Sequence, residues 1–449
     1  MNKVDQEREF SFGKRFPISK IFLYSTLACW FISCFGPFQW RVYDGNAILY
    51  LIACFVLLYA GMRSGGLVLQ KKPLIYRSFY LGIGARRFLI TLSIISIASF
   101  VIETVSLMRY YGASYTLFGG AYYEYAETGR TMLDQILMSS MQLGTVSYLF
   151  MRADNSGWPK RLERLVICAF WTVGLFALLQ GSRFSIAVAF VLFFVIENRR
   201  SSAVRKVVDA GKVSSLLTKM IVMVAGIVLL VVFVQLMETK LIYNTPLTKF
   251  EIMPGDQWLK PFWLDLYYSS NGAVESFYDF CDYLGEAPFV FAGFWDVYMP
   301  DQLYPFTNTL RPLSKLLNSA SIPLIADPTF VDGTLTEGIA RYTSFAWNLI
   351  IEFGLWGAPV ASYLFGLVMS KIERYSQSYY FLRVISPCLI PMSIFAPIYF
   401  FNVGRLDWVL FEVVVVYAFL HLFSKGGFVK GEEIARARNF TERDSFARD

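Results

Sequence analysis

Hydrophobic positions in this chain fall in long runs separated by short charged stretches. A helix crossing a bilayer needs about 20 mostly apolar residues, because the hydrocarbon core is about 30 Å thick and each residue rises about 1.5 Å. Ten segments meet or approach that requirement: 20–36, 46–61, 88–108, 132–151, 165–181, 184–197, 220–239, 345–370, 384–401 and 408–423. The pattern predicts an all-α polytopic integral membrane protein of about ten transmembrane helices, with one large extracytoplasmic loop carrying short helices. It divides the chain into an N-terminal membrane bundle of seven spans (1–239), the large loop (240–344), a C-terminal bundle of three spans (345–423) and a basic tail (424–449). The first 20 residues are hydrophilic and no small-residue cleavage pattern follows the first apolar run, so no cleavable signal is expected.

Composition agrees with this picture. Of 449 residues, 55% are apolar and only 17% charged, against about 25% charged in an ordinary soluble chain. Charge then sets orientation, because Lys and Arg collect in cytoplasmic loops. With both termini inside, the segments 1–20, 62–87, 152–164, 197–219, 371–383 and 424–449 hold 30 of the 41 basic residues. The inside carries a formal +17 and the remainder −10, a polarity hidden by the net charge of +7. The basic excess is thus an orientation signal and gives no reason to expect nucleic acid. The tail is read as an anchor facing anionic lipid. Five of the six cysteines lie in apolar runs, which leaves Cys281 alone outside without an internal disulfide partner. No Cys/His spacing suits a metal, and no phosphate loop or dinucleotide fingerprint is present, so no cofactor is expected.

Three places could carry chemistry. The outer loop is far longer than a connector needs and holds twelve acids among many rings: Trp258, Phe262, Trp263, Tyr267, Tyr268, Trp295, Tyr298 and Tyr304. Rings beside carboxylates suit sugars, which stack their C–H faces and bond their hydroxyls. Packing of the same rings at the membrane interface is the competing reading. The second place is the turn Gly181-Ser182-Arg183. The helix after it, 184–197, has only 14 residues and spans about 21 Å; with its inner end pinned by Arg199 and Arg200, Arg183 is expected to be recessed where a guanidinium needs a partner such as phosphate. The third is the outer turn Asn402-Val403-Gly404-Arg405-Leu406-Asp407. Glu103, Asp134, Glu352 and Glu412 fall in the outer halves of their spans, which suggests an outward-facing polar chamber or ion pairing between helices. His421, near the inner end of the last span, is expected to pack rather than to react.

These features resemble the Wzy-type polymerases of O-antigen and other oligosaccharide repeat units. GSRFSIAVAFVLFFV is similar to the small-residue–Arg turn that opens a span in that family. Arg341-Tyr342-Thr343 followed by Glu352-Phe353-Gly354-Leu355-Trp356-Gly357 is similar to its "YT … DFG..G" segment, with Glu352 where the family usually has Asp. The resemblance implies a glycosyltransferase of the bacterial inner membrane. It would move a growing glycan from undecaprenyl pyrophosphate onto a lipid-linked repeat unit at the periplasmic face, with membrane lipid and a chain-length regulator as further partners. On that reading Arg183, Arg405, Arg341 and Arg311 contact the pyrophosphate, where fixed guanidiniums stabilise the leaving diphosphate. The base is Glu337, then Asp332, then Asp407. Glu352 orients Arg341, and Tyr342 supports the loop. An O-antigen ligase using the same donor, and a glycolipid or small-solute transporter, are the alternatives. The Pro-rich span 384–401 leans toward the latter.

Overall fold

The computed structural model describes residues 17–40, 45–67, 79–111, 132–154, 157–179, 183–204, 257–270, 274–297, 302–319, 321–322, 324–326, 344–376, 378–398, 405–423 and 428–430. Within them the protein is mostly helical. Helices α1 (Ile18–Phe35), α2 (Gly45–Leu67), α3 (Ile83–Tyr111), α4 (Met132–Ala153), α5 (Lys160–Leu179) and α6 (Arg183–Val204) cover the first six apolar runs. The seventh, 220–239, lies outside the described residues. The outer loop folds into α7 (Pro261–Ser269), α8 (Glu275–Gly285), α9 (Ala287–Val297) and α10 (Arg311–Ser319). Then come α11 (Phe345–Tyr375), α12 (Tyr380–Ile385), a 3-10 turn (Ser386–Cys388), α13 (Leu389–Phe395) and α14 (Leu406–Phe423). Four helices, Ile18–Phe35, Gly45–Gly65, Ile83–Arg109 and Phe345–Tyr375, are long and apolar enough to cross a membrane. The chain is a membrane-embedded helical protein.

Two short antiparallel ribbons add to the helices. β1 (Phe38–Trp40) pairs with β3 (Gln257–Leu259), Gln39 opposite Trp258. β2 (Phe79–Leu81) pairs with β4 (Phe428–Lys430), Tyr80 opposite Val429. The charge alternation assigns β1 and β3 to the outside and β2 and β4 to the inside, so each ribbon joins segments of one side. Beside the first ribbon, Lys260 Nζ donates to the carbonyls of Cys34 (3.0 Å) and Gly36 (2.9 Å). A cation there satisfies carbonyls left open at the end of α1.

Membrane helices gain little from the hydrophobic effect between themselves and associate through close packing of small residues and interhelical hydrogen bonds. The pair α2–α11 shows this best. Gly61 and Gly65 on α2 meet a stripe of Ser362, Gly366 and Ser370 on α11. A Cβ added at Gly61 would lie 2.1 Å from the carbonyl oxygen of Tyr363, and one at Gly366 2.2 Å from that of Leu58. Gly144 on α4 likewise leaves a Cβ position 2.1 Å from the Ala169 carbonyl of α5. There Ser96 of α3 donates to Met141 O (2.8 Å) and lies 3.0 Å from Thr172 Oγ1, which ties three helices at one point.

The buried side chains form two main cores. One joins α1, α2, α9, α11 and α13 around Phe22, Leu51, Phe291, Trp347 and Ile350. The other joins α3 to α6 with α12 and α14 around Leu89, Tyr148, Phe170, Val384 and Val413. Helices from before and after the outer loop share both cores. The loop helix α9 is itself core, because Val290, Phe291, Ala292 and Phe294 are buried against α2 and α11.

Three expectations change. The run 184–197 is the apolar part of α6, a helix of 22 residues that extends about 33 Å. The added residues lie beyond Glu197, so the apolar part remains Ser185–Glu197, and Arg183 is the first residue of α6. The span 345–370 is two helical pieces joined at Gly354, whose φ of 71° and ψ of 179° break the helix. Phe345 to Glu352 lie almost wholly in the core, while Trp356, just past the break, is 92% exposed. Finally, 384–401 begins earlier and is interrupted. Pro387 lacks the N–H a helix needs there, and the 3-10 turn Ser386–Cys388 joins α12 to α13, which ends at Phe395.

The C-terminal end of α4, the N-terminal end of α5 and the C-terminal half of α6 meet in a charged knot. Arg152 forms ion pairs with Glu163 (2.6 Å) and Glu197 (2.7 Å) while Tyr148 donates to Glu197 (2.6 Å). Close by, Asp154 accepts from Leu81 N, Trp158 Nε1 and Arg86. This fastens the inner ribbon to the bundle.

Candidate functional site

The break at Gly354 builds the site. An interrupted helix leaves carbonyls without intrahelical donors; the loop supplies one donor, Tyr304 N to Ile351 O (2.9 Å), and α2 another, Tyr50 Oη to Leu355 O. Glu352, two residues before the break and 1% exposed, does more. Its carboxylate accepts the backbone N–H of Asn308, that of Thr309 (2.6 Å) and the Thr309 hydroxyl. Buried carboxylates need such partners, since an unpaired one would lose its hydration without return. The turn 305–310, which contains Phe306 at φ 62°, is thereby nailed to α11.

That turn delivers α10. Arg311 opens the helix, with Nη1 3.5 Å from Asn308 Oδ1. Ser314 Oγ donates to Ala326 O (2.6 Å) and Asn318 Nδ2 to Ile325 O (2.8 Å), which close the following segment over α10. Arg311 and Lys315, four residues apart, share one helix face. α10 packs on α14. Just ahead of α14, Arg405 adopts a left-handed backbone (φ 62°), and its Nη2 lies 3.5 Å from Met138 Sδ of α4. Asp407 sits in the first turn of α14.

The four side chains form one electrostatic group. Burial raises the Asp407 carboxyl above its ordinary range, opposed in turn by Arg311, the Trp408 N–H, Arg405 and Lys315. Three cations and one acid thus gather where the loop meets the start of the last helix. Concentrated cations in a half-buried place suit a multivalent anion, and guanidiniums favour phosphate oxygens through paired N–H donors.

Of the residues expected at a site, Arg311, Arg405 and Asp407 come together here. Lys315 was missed, although its four-residue spacing from Arg311 in the amphipathic RPLSKLLNS is visible in the sequence. Glu337, Asp332, Arg341 and Tyr342 lie outside the described residues, as does the side chain of Arg183. Glu352 is committed to the 308–309 turn. Glu412 is buried on α14, with one carboxyl oxygen lacking a hydrogen-bond partner among the described residues. Glu103 is buried on α3. The side chain of Asp134 lies outside the described residues. His421 is exposed and stacks on Tyr417.

Most of the described loop aromatics are half-buried. Trp263 and Tyr267 surround Tyr278 with Phe38 and Trp40 in a small core, and Trp295 packs against Tyr50 and Phe291. Tyr304 is half-buried. Phe262 (69%) and Tyr268 (61%) remain exposed. The side chain of Trp258, and Tyr298, lie outside the described residues. Cys281 is buried rather than exposed, and burial, then the charge of Asp282, pushes its thiol up to about 11. No family model, curated protein or solved structure matches the chain.

Proposed function

We propose that this protein is a polysaccharide polymerase of the bacterial inner membrane. It transfers a growing glycan from undecaprenyl pyrophosphate to a lipid-linked repeat unit at the periplasmic face. The observation that carries the reading is the meeting of Arg311, Lys315 and Arg405 around Asp407, at the junction of the outer loop and the bundle. The reaction asks for such a junction. The glycan arrives from outside, the carrier lies in the bilayer, and the diphosphate between them gains charge as the glycosyl bond breaks. Fixed cations stabilise that charge without reorganising. A carboxylate must take the acceptor's proton; Glu337, Asp332 and Asp407 are the candidates, with Arg183 and Arg341 as further pyrophosphate contacts and Tyr342 beside them.

The test is the surface-glycan ladder of cells lacking the gene, then of cells carrying Arg311→Ala or Arg405→Ala at normal protein level. A polymerase defect leaves single repeat units on the acceptor, whereas a ligase defect leaves none. Unchanged long-chain glycan in the deletion strain would sink both. Interrupted helices at Gly354 and Ser386–Cys388 also occur in transporters. That reading would gain if the deletion changed solute or glycolipid movement and left the ladder intact.

A further inference from the structure

We infer that the apolar crest of residues 302–326, which the hydropathy pattern assigns to an extramembrane loop, is inserted into the lipid at the Gly354 end of α11. The polarity of this segment is inverted relative to one that faces water. Leu303, Phe306, Leu310, Leu316, Ile322 and Leu324 are exposed. The other exposed positions described there are Gln302, Pro305 and Ser321, none of them charged. Thr307, Asn308 and Ser314, by contrast, are buried. Single exposed apolar residues are ordinary on a soluble surface, but six within 22 residues and no charge among them are not. Hydrogen bonds also run inward: Thr309 Oγ1 donates to Glu352, Ser314 Oγ to Ala326 O and Asn318 Nδ2 to Ile325 O. Polar groups satisfied within the protein are what a lipid-facing segment requires.

What covers the crest follows from α11. Beyond the break, Trp356, Val360, Leu364 and Val368 are exposed at intervals of four residues, one stripe along a helix long and apolar enough to cross a membrane. That stripe faces lipid. From Gly354 to Tyr375 the helix runs about 32 Å, close to the thickness of the hydrocarbon core, so the Gly354 end lies at its boundary. Trp356 suits that depth, because indoles collect at the membrane interface. The crest joins the stripe there. A Cβ added to Gly354 would lie 3.3 Å from Leu303 Cδ2, and the Phe306 ring stands edge-on to Phe353 at 5.7 Å. Further along, Ile322 N donates to Leu317 O and Leu324 N to Ile322 O, which folds both side chains back beside the end of α10. The backbone agrees. Phe306 is held at φ 62°, a conformation costly for a bulky L residue, and its ring is still exposed. In water that strain would only display an apolar ring; against acyl chains the ring gains dispersion contacts. Insertion does not depend on the proposed glycosyl transfer.

Nitroxide labels on the full-length protein in lipid nanodiscs test the insertion. The exposed Cys34 and Cys168 are first replaced by serine. Single cysteines then enter as Phe306→Cys, Leu316→Cys or Ile322→Cys. Lys160→Cys, an exposed position at the start of α5, is the reference for water, and Leu364→Cys the reference for the bilayer interior. Oxygen concentrates in hydrocarbon, whereas a water-soluble nickel chelate is excluded from it. The ratio of oxygen to chelate collisions at the crest labels should therefore exceed that at Lys160→Cys by about threefold or more and approach that at Leu364→Cys. A smaller excess, or none, would overturn the insertion. So would labels shielded from both reagents, the outcome expected if a second copy or another protein covers this face. A size-exclusion profile shows that each labelled protein is folded, and Leu316→Cys and Ile322→Cys decide the matter by themselves if Phe306→Cys fails to fold.

Discussion

Glu352 is the sharpest place to perturb this protein. Its carboxylate is buried and accepts three hydrogen bonds from two consecutive residues of the loop. Glu352→Ala removes the acceptor and strands the Asn308 and Thr309 N–H groups, each costing about 1–3 kcal/mol when buried and unpaired. Discounting the hydroxyl, which can turn elsewhere, the docking of the 305–310 turn weakens by about 3–5 kcal/mol. Glu352→Gln differs in kind. Its amide oxygen can accept both N–H groups, and its NH2 can donate to the Thr309 hydroxyl, so only the charge assistance is lost, about 1 kcal/mol. Glu352→Asp withdraws the carboxylate by one carbon–carbon bond, about 1.5 Å, and should resemble Ala more than Gln. Trypsin reads the outcome at Lys315, which lies just beyond the clamp. With about 1.4 kcal/mol per tenfold, Glu352→Ala should raise the cleavage rate at α10 about a hundredfold or more, and Glu352→Gln less than about tenfold. Equal cleavage of wild type, Ala and Gln variants would refute the clamp.

Other outcomes follow from the packing. Gly366→Leu should abolish a monodisperse protein on size exclusion, since even a Cβ there meets the Leu58 carbonyl at 2.2 Å and overpacking costs about 1–3 kcal/mol or more. Gly84→Ala, with nothing within 4 Å, should leave the elution profile unchanged and hold or raise the melting temperature. Arg152→Ala leaves Glu163 and Glu197 facing each other without their cation and should lower stability by about 3–5 kcal/mol, seen as a drop in melting temperature; Arg152→Lys should recover part of it. Ser96→Val should destabilise the α3–α4–α5 junction by about 1–2 kcal/mol, measured in the same way.

Much of the architecture is legible without coordinates. Bilayer thickness and the cost of unpaired backbone in lipid force long apolar helices, so the described helices overlie nine of the ten apolar runs. The turn holding Arg405 and Asp407 also stands out in the sequence, as a charged hairpin between two apolar runs. What period and hydropathy do not record is interruption. Gly354 breaks a helix inside a run that reads as continuous, because a buried break keeps its apolar side chains and finds hydrogen-bond partners elsewhere in the chain, and at Pro387 the helix tightens into a 3-10 turn.

Sequence by itself determined that this is a polytopic helical membrane protein with a polarised charge distribution, since composition and run length answer directly to the bilayer. Tertiary structure decided which polar residues matter together. Glu352 lies 43 positions from Thr309, and Arg311 and Asp407 belong to different helices 96 positions apart. No local pattern encodes such meetings. They arise because α11 breaks at Gly354, the loop turn satisfies the exposed groups, and α10 is carried onto α14. The same packing leaves Trp263, Tyr267, Trp295 and Tyr304 half-buried and Phe262 and Tyr268 exposed. Long-range juxtaposition follows from how apolar faces and open hydrogen-bonding groups are satisfied across the whole chain, which only the folded molecule specifies.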